Sequence, residues 1–562
     1  MEQFIKSILS YEYVSFDIFD TLLFRTVSKP VLLFEMVAEK ATEMNIYCPA
    51  SFPYLRRNAE GKARTEWLKK GRQDICIYDI YHYLPCKKEN AKQLMDIEIW
   101  CEEHCCLPNK QMIDIVNWCR MHQKKVVITT DMYLPRQTID NILKRLGVVY
   151  DYLFISGEVG LTKRTGDLYP YVLSQLGIKP FQIIHTGDDS NNDIIMPRKY
   201  GIASIERIIN NRTPSHYYIS PNIEKKPITD HLRTLFDINV SEDKNWRIGY
   251  TVMGPLMVDF CQWLHKQKKE KDLDRLLFVA REGWLIKHCY DAMFPNETNF
   301  TVYVRLNRNV LSQKSSLLID YLYQCDVVGN RIGLVNNSIN GTGQTMLENF
   351  MLENRLDGTI VGLQFVKSEL CIQRLGNSCY SFISDSGCPW YYYFDYIWSC
   401  YLMEHLMFES NGTSLYLRRA DSYIVEAVCD NPCCESYNFP IIERIHYHTL
   451  NFVKDYVNNL NLPLNNLGID IFRYFFRYPM KYDAQYVGSL YDKDAGENVQ
   501  MTTSSISYNW KVPIFKNTGC RWPEAFFVIH NIPMFLLKLY HVRLFIRMWR
   551  LRLSVSPFKW FF

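Results

Sequence analysis

Long apolar runs are missing from this chain. No stretch of about 18 uninterrupted hydrophobic residues occurs, and the nearest approach, residues 526–537, is broken by His530, Asn531 and Pro533. A membrane-spanning helix is therefore not expected. The opening Met1-Glu2-Gln3-Phe4-Ile5-Lys6 lacks the charged start, apolar stretch and small-residue cleavage site of a secretory signal. A cytoplasmic location is the expectation, and reducing conditions there would keep most of the 18 cysteines free. Paired C-x-x-C spacing is also absent: the clusters at 101–106 and 429–434 read as buried thiols rather than a zinc site. Neither sign of charge dominates, with +4 net over 562 residues, so nucleic acid is not an expected partner. Internal repeats and low-complexity tracts are lacking as well.

What is present reads as globular, with 48% hydrophobic and 22% charged residues. The length exceeds one ordinary core, so two or three domains are expected. An apolar strand around Tyr13-Val14-Ser15-Phe16 ends abruptly on Asp17, with Thr21 close behind. Residues from about 26 to 125 then read as a helical insert, which would sit above the end of that strand, where open α/β sheets bind ligands. Its Arg56, Arg57 and Arg64 would either grip an anionic substrate or form a solvated helix face. Strands follow at 126–130, 152–156 and 182–186, with a helix at 168–176 between the last two. This alternation implies a parallel, helix-covered sheet. Residues 211–245 are polar and Pro-interrupted and read as a linker. A second α/β region, 246–520, opens with a helix at 254–266 and strands at 276–280, 301–304 and 332–335. Beyond about 385 the chain is aromatic-rich and expected to be helical.

Three later stretches carry chemistry in register with Asp17: Thr130 before Asp131, Lys163, and Gly187-Asp188-Asp189-Ser190-Asn191-Asn192-Asp193. Phosphoryl transfer to a protein carboxylate needs a nucleophile, a cation, donors for the phosphoryl oxygens and usually a proton donor for the leaving group. Asp17 would be nucleophile and metal ligand, Asp188 and Asp193 would hold the metal, and Thr130 and Lys163 would bind phosphate oxygens. A donor set of hard oxygens without His or Cys fits Mg²⁺. Asp131, Asp140, Asp167 and Asp189 read as caps or loop residues, with Asp189 the competing metal ligand and Thr129 the competing hydroxyl.

These four pieces, Asp17-Ile18-Phe19-Asp20-Thr21, Thr130, Lys163 and 187–193, resemble the four motifs of the haloacid dehalogenase superfamily. The resemblance covers about residues 10–205. It implies a Rossmann-like domain, an aspartyl intermediate and, in the phosphatase branches, Mg²⁺, with the backbone carbonyl of Phe19 available as a further ligand. One position departs from the pattern. Two residues after the nucleophile, where most phosphatases of the superfamily carry the Asp that protonates the leaving group, stands Phe19. That loss removes a general acid/base worth roughly 10²–10⁴-fold, and neighbouring Asp20 would point to the opposite face of a strand. The chain would then be a phosphatase with its acid elsewhere, a transferase whose leaving group needs no proton, or a domain that binds phosphate without hydrolysing it.

The form 16–22, with Thr130-Asp131-Met132-Tyr133-Leu134 and Ala280-Arg281-Glu282-Gly283-Trp284, further resembles long bacterial members of that superfamily found with capsule and O-antigen genes, up to about residue 415. It implies work on surface polysaccharide precursors. In the second region Arg281 and Glu282 at one strand end, Arg305 and Arg308 after another, and 340–345 after a third would converge on a sugar phosphate or nucleotide sugar, or would pair with one another to hold loops. Thr342-Gly343-Gln344-Thr345 weakly resembles a phosphoribosyltransferase phosphate loop, but Asn336-Asn337 stand where that family has an acidic pair. Finally, 535–562 interleaves apolar residues with Lys538, Arg543, Arg547, Arg550, Arg552 and Lys559 and carries no acid. Such a segment would lie on an anionic membrane surface or dock on the protein's own core.

The expected molecule is α/β: a Rossmann-like first domain (1–210) with a helical cap insert, a linker, a second α/β domain (246–520) and a basic helical tail (521–562). The expected activity is a Mg²⁺-dependent phosphatase or phosphotransferase on a sugar phosphate or related metabolite, cytoplasmic or peripheral on the inner face of the plasma membrane. The alternatives are a glycosyl or sugar-phosphate transferase in the second domain, and a membrane-surface scaffold.

Overall fold

A computed structural model describes residues 1–27, 29–208, 217–220, 227–337, 339–430, 437–459, 462–491, 500–502, 520–533, 535–542 and 546. The chain divides into two compact units, one built from Met1–His216 and Ile223–Val240, the other from Tyr217–Asn222 and Ser241–Phe562.

The first unit is organised by β1 (Tyr13–Phe16), which lies at the centre of an all-parallel sheet. On one side it pairs with β4 (Lys125–Thr130) and, beyond it, β5 (Tyr152–Ile155). On the other side it pairs with β6 (Ile183–Gly187) and then β7 (Ala203–Glu206). Val14, Val126, Val127 and Ile128 are fully buried, as expected of strands covered on both faces. Phe16 stands level with Ile128 and Thr186, so Asp17 emerges at the carboxyl edge beside the ends of β4 and β6. The order β5-β4-β1-β6-β7 reverses direction between β1 and β6, and such a switch point opens a crevice for ligands.

A short antiparallel pair, β2 (Leu23–Arg25) and β3 (Cys106–Pro108), forms the stem of the insert. Between its strands run α1 (Pro30–Glu43), α2 (Phe52–Lys69), α3 (Ile77–His82) and α4 (Lys88–His104). The helical reading of this stretch is correct, but Arg56 is not a substrate ligand. Its side chain is 0% exposed and grips Glu98, also 0% exposed, through two bonds of 2.7 and 2.8 Å. Glu60 lies 3.0 Å from its third nitrogen, and the Tyr81 hydroxyl donates to Glu98 at 2.7 Å. Adjacent helix positions point about 100° apart, and the next residue, Arg57, is the one left exposed.

Within the stretch read as a linker, α5 (Pro227–Ile238) forms on the first unit and buries Leu232, Leu235 and Phe236 completely. Their spacing puts three apolar residues on one helical face.

The second unit carries its own five-stranded parallel sheet: β8 (Arg275–Val279), β9 (Thr301–Val304), β10 (Arg331–Val335), β11 (Thr359–Gln364) and β12 (Cys379–Ser381). Its order, β12-β11-β10-β8-β9, reverses between β8 and β10. The sequence reading lacked β2, β3, β7, β11 and β12. The region beyond about 385, expected to be helical, is mostly so, but β13 (Ser414–Arg419) and β14 (Val425–Cys429) form an antiparallel hairpin within it. The helix at Gly254–Glu270 is buried along most of its length. Its Asp259 accepts N–H groups from Asn466, Gly468 and Ile469 at 2.6–3.2 Å, capping the helix Leu467–Arg477.

Among the described residues no helix is long and apolar enough to cross a membrane. Leu536, Leu537 and Tyr540 pack with Phe527. The tail residues Arg543, Arg547, Arg550, Arg552 and Lys559 lie outside the described residues, as do Cys433 and Cys434.

Candidate active site at the first switch point

Asp17 is the first residue after β1, and its backbone N–H still donates to Thr186 O of β6 at 2.9 Å. The chain then turns sharply: Leu22 and Thr21 donate back to Ile18 O, and Asp20 takes a left-handed φ of 57°. That turn leaves Asp20 exposed while Asp17 is 6% exposed. Lys163 reaches Asp17 Oδ1 and Asp193 Oδ1 at 2.6 Å each, so one buried ammonium bridges two buried carboxylates. Thr21 Oγ1 donates to Asp17 Oδ2 at 3.4 Å.

Asp193 is brought to this point by the turn Ser190–Ile195, a widened helical turn capped by Asp189, whose side chain accepts from Asn191 N and Asn192 N. Asp189 is thus a cap. Gly187 is required at the strand end because a Cβ there would stand 2.3 Å from Asp193 Cγ. A chain of buried polar contacts supports Asp193 from below: His185 Nε2 at 3.1 Å, then Ser15 Oγ to His185 Nδ1 at 2.8 Å, then Thr129 Oγ1 to Ser15 at 3.0 Å. Because neighbouring strand residues face opposite sides, Thr129 belongs to this support, and Thr130 stands at the end of β4, buried and level with Ile155.

Asp131 accepts the backbone N–H of Lys163 at 2.8 Å and of Arg164 at 3.2 Å, and so fixes the loop that carries the lysine. Gln73, from the insert, holds the same loop. Its Oε1 accepts from Thr162 N at 3.1 Å and from Thr165 Oγ1 at 2.6 Å. The other two aspartates are occupied too: Asp140, which lies within the helix Arg136–Arg145 and not in a cap or loop, accepts from the Tyr150 hydroxyl, and Asp167 accepts from Gln73 Nε2.

The electrostatics follow from burial and from Lys163. Burial pushes Asp17 up to about 6, against the pull of Lys163. Burial would raise Asp193 as well, but Lys163 and the His185 hydrogen bond outweigh it and hold that carboxyl below the usual range. Burial opposes the Lys163 charge, yet Asp17 and Asp193 keep the ammonium protonated well past its ordinary value. Asp188 is half-buried, and its carboxyl is raised chiefly by burial, with Arg207 opposing. Carboxylate oxygens of Asp17, Asp188 and Asp193 lie within 4.8 Å of one another, an all-oxygen set that fits a hard divalent cation such as Mg²⁺.

Beside this centre the insert and the sheet edge enclose a cleft of about 920 Å³. Arg25, Arg57, Arg64 and Lys29 line it from the insert side, Asp131 and Arg164 from the sheet side. Arg25 is paired with Glu102 at 3.2 Å and Arg64 with Asp74 at 2.6 Å. Among the described residues no side-chain partner is seen for Lys29, Arg57 or Arg164. Phe19 lies under the Arg25 guanidinium, 4.0 Å from ring centre to Arg25 Cζ, so the position that would carry an acid is filled by a ring.

Sequence reasoning brought together Asp17, Lys163, Asp188, Asp193 and Thr130, and the structure sets all five at one strand-end crevice. It missed His185 and Ser15, which sit in an apolar strand pattern with no signal of their own, and Gln73, whose role depends on the fold of the insert. Of the four residues named in the second unit, Arg281 lies buried with its guanidinium 3.8 Å from the Phe408 ring centre, and Arg305 pairs with Glu409 at 2.6 Å. Glu282 and Arg308 line a separate cavity.

No family model matches the chain, and no curated protein does. Solved structures similar to part of it include the L-2-haloacid dehalogenase of Xanthobacter autotrophicus (14% identity, 42% of this chain and 90% of that one, TM-score 0.27). A haloacid dehalogenase-type (HAD) phosphatase from Thermococcus onnurineus is 19% identical over 36% of this chain and 89% of its own, with a TM-score of 0.23. The HAD-hydrolase YfnB of Bacillus subtilis, in a magnesium-bound crystal form, is 14% identical over 34% of this chain and 87% of its own, with a TM-score of 0.26.

Proposed function

We propose that the first unit is a phosphatase or phosphotransferase of the haloacid dehalogenase type, acting through Asp17 on a phosphorylated metabolite, with a sugar phosphate of polysaccharide assembly as the substrate class. The observation that carries this reading is the buried Asp17–Lys163–Asp193 bridge at the switch point of a parallel sheet. Asp17 attacks phosphorus in line with the leaving oxygen, the P–O bond to the leaving group breaks, and an aspartyl phosphate forms. Lys163 and Thr130 neutralise and hold the phosphoryl oxygens, an electrostatic contribution usually worth roughly 10²–10³-fold per donor. Exposed Arg57, Arg164 and Lys29 hold the rest of an anionic substrate in the cleft. Asp17, Asp188, Asp193 and the Phe19 carbonyl would hold Mg²⁺, which when bound neutralises phosphate charge.

Phe19 shapes the second half of the reaction. A ring under Arg25 neither protonates a leaving group nor activates water, so the departing sugar oxygen takes its proton from water or from another group in the cleft, and the phosphoenzyme persists until an acceptor hydroxyl or water takes the phosphoryl group. The resemblance of 16–22 and 280–284 to capsule and O-antigen proteins supports polysaccharide precursors as donors or acceptors. The test is an acid quench of full-length protein incubated with Mg²⁺ and ³²P-labelled sugar phosphates. Acid-stable, hydroxylamine-sensitive label on wild type and none on Asp17→Asn is expected. Phosphate release that persists in Asp17→Asn overturns the assignment.

A further inference from the structure

The second unit has a cavity that the Asp17 chemistry does not use. It measures about 370 Å³ and opens at the carboxyl ends of β8, β9 and β10, where the sheet order reverses. That is the place at which open parallel sheets receive ligands, and the volume is in the range of small-molecule sites, about 300–1,000 Å³.

Three kinds of group converge there. The first is a carboxyl pair: Glu282, after β8, shares a hydrogen bond with Glu404, of the helix Tyr392–Met407, and both line the cavity. Burial raises the Glu282 carboxyl, with Arg281 and the Glu404 hydrogen bond opposing. The second is Asn337, after β10, which is 9% exposed and lines the cavity with no side-chain partner among the described residues. Buried amides without partners are uncommon in native proteins. The third is a helix start. The 12-residue helix Thr342–Glu353 begins at the cavity, its N-cap is Gly341 in a left-handed conformation (φ 65°), and no side chain caps it. Its free N–H groups and positive dipole end favour an anion. Arg374 donates to Thr342 Oγ1 at 2.8 Å beside it, and Arg308 stands exposed on the cavity wall. Gly343 leaves the approach open, since a Cβ there would meet only Asn336 Nδ2, at 3.7 Å.

We infer that this cavity is a second, independent site for a phosphorylated polyol such as a hexose phosphate, with the phosphate on the N–H groups of Thr342–Gln344 and the hydroxyls on Glu282, Glu404 and Asn337. Anion and hydroxyl recognition use different groups lining the cavity, so a hexose phosphate engages both, whereas inorganic phosphate engages the helix start alone.

The experiment is calorimetric titration of hexose 1-phosphate, inorganic phosphate and free hexose into full-length Asp17→Asn protein and into two further variants on that background. Gly343→Asp puts a carboxylate in the first turn, which stabilises a helix while repelling phosphate. It is expected to keep or raise the unfolding temperature and to weaken the hexose phosphate step about ten- to hundredfold. Glu404→Gln is expected to weaken hexose phosphate about tenfold and leave inorganic phosphate unchanged. A hexose phosphate isotherm unaltered by Gly343→Asp, or no binding of any probe by folded Asp17→Asn protein, overturns the proposal. Equal affinity for hexose phosphate and inorganic phosphate overturns its polyol half. Phosphoenzyme formation by the single variant Gly343→Asp is read separately and is expected at the wild-type level, so failure of this site and failure of the Asp17 reading remain distinguishable.

Discussion

Replacing Arg56 with Met tests whether this side chain is structural. Arg56 and Glu98 are both fully buried and joined by two hydrogen bonds, and the guanidinium also lies over the Phe34 ring at 4.7 Å. Methionine fills much of the volume, so the loss is chiefly electrostatic: an unpaired carboxylate is left inside the insert. Breaking one side of a buried pair costs about 3–5 kcal/mol. In a unit of this size each kcal/mol moves the midpoint by about 2–4 °C, so a drop of about 6–20 °C is expected by circular dichroism. The double variant Arg56→Met/Glu98→Leu should recover most of that loss, because a well-packed apolar replacement for a buried pair is often neutral; the Tyr81 hydroxyl keeps a second acceptor, Leu94 O at 3.2 Å. A single variant that unfolds within about 1 kcal/mol of wild type but loses substrate affinity would refute this reasoning and return Arg56 to the binding site. Arg57→Ala provides the contrast: a higher KM with stability unchanged.

Phe19→Asp should shorten the life of the phosphoenzyme by roughly 10²–10⁴-fold in a chase experiment; an unchanged lifetime would mean that another residue already activates water. Mg²⁺ should raise the thermal midpoint of wild type, by about 2.7 kcal/mol of stability at a hundredfold excess over Kd, and EDTA should reverse it. A similar rise in Asp188→Asn/Asp193→Asn would remove those carboxylates from the metal site. Burial raises Asp259 from 3.8 to about 7, with the three capping N–H groups opposing. The folded state therefore binds the extra proton, and stability falls as pH rises from about 4 to about 7, by roughly 4 kcal/mol at most. Asp259→Asn should flatten that decline in denaturant titrations, and a slope equal to wild type would assign the pH dependence elsewhere.

The parallel strands and the Asp17, Lys163 and Asp193 set were legible because both are local. Runs such as Val126-Val127-Ile128 are apolar whichever neighbour they pair with, Asp17 directly follows such a run, and Lys163 and Asp193 stand in short polar stretches beyond the ends of β5 and β6. Strands β11 and β12 were not legible in the same way: Thr359–Gln364 carries Gly362 and Cys379–Ser381 has only three residues, and it is the pairing of β11 to β10 and of β12 to β11 that makes them strands. The hairpin of β13 and β14 was hidden for a similar reason, its cross-strand contacts being long-range to any single window.

Side-chain fate divided along the same line. Composition and spacing determined that an arginine-bearing helix would cover the strand end, but not which arginine would face in. The helix rotation that buries Arg56 against Glu98 and exposes Arg57 depends on how α2 packs on α4, and the sequence holds no local signal of it. Likewise His185 and Ser15 look like ordinary strand residues until β1 and β6 lie side by side. The sequence by itself determined two α/β units and a carboxylate centre, because strand and motif signals are encoded within a few residues. Only the tertiary structure decided which charges are paired, which are free, and that Phe19 is covered by Arg25, because burial and pairing are set by partners distant along the chain.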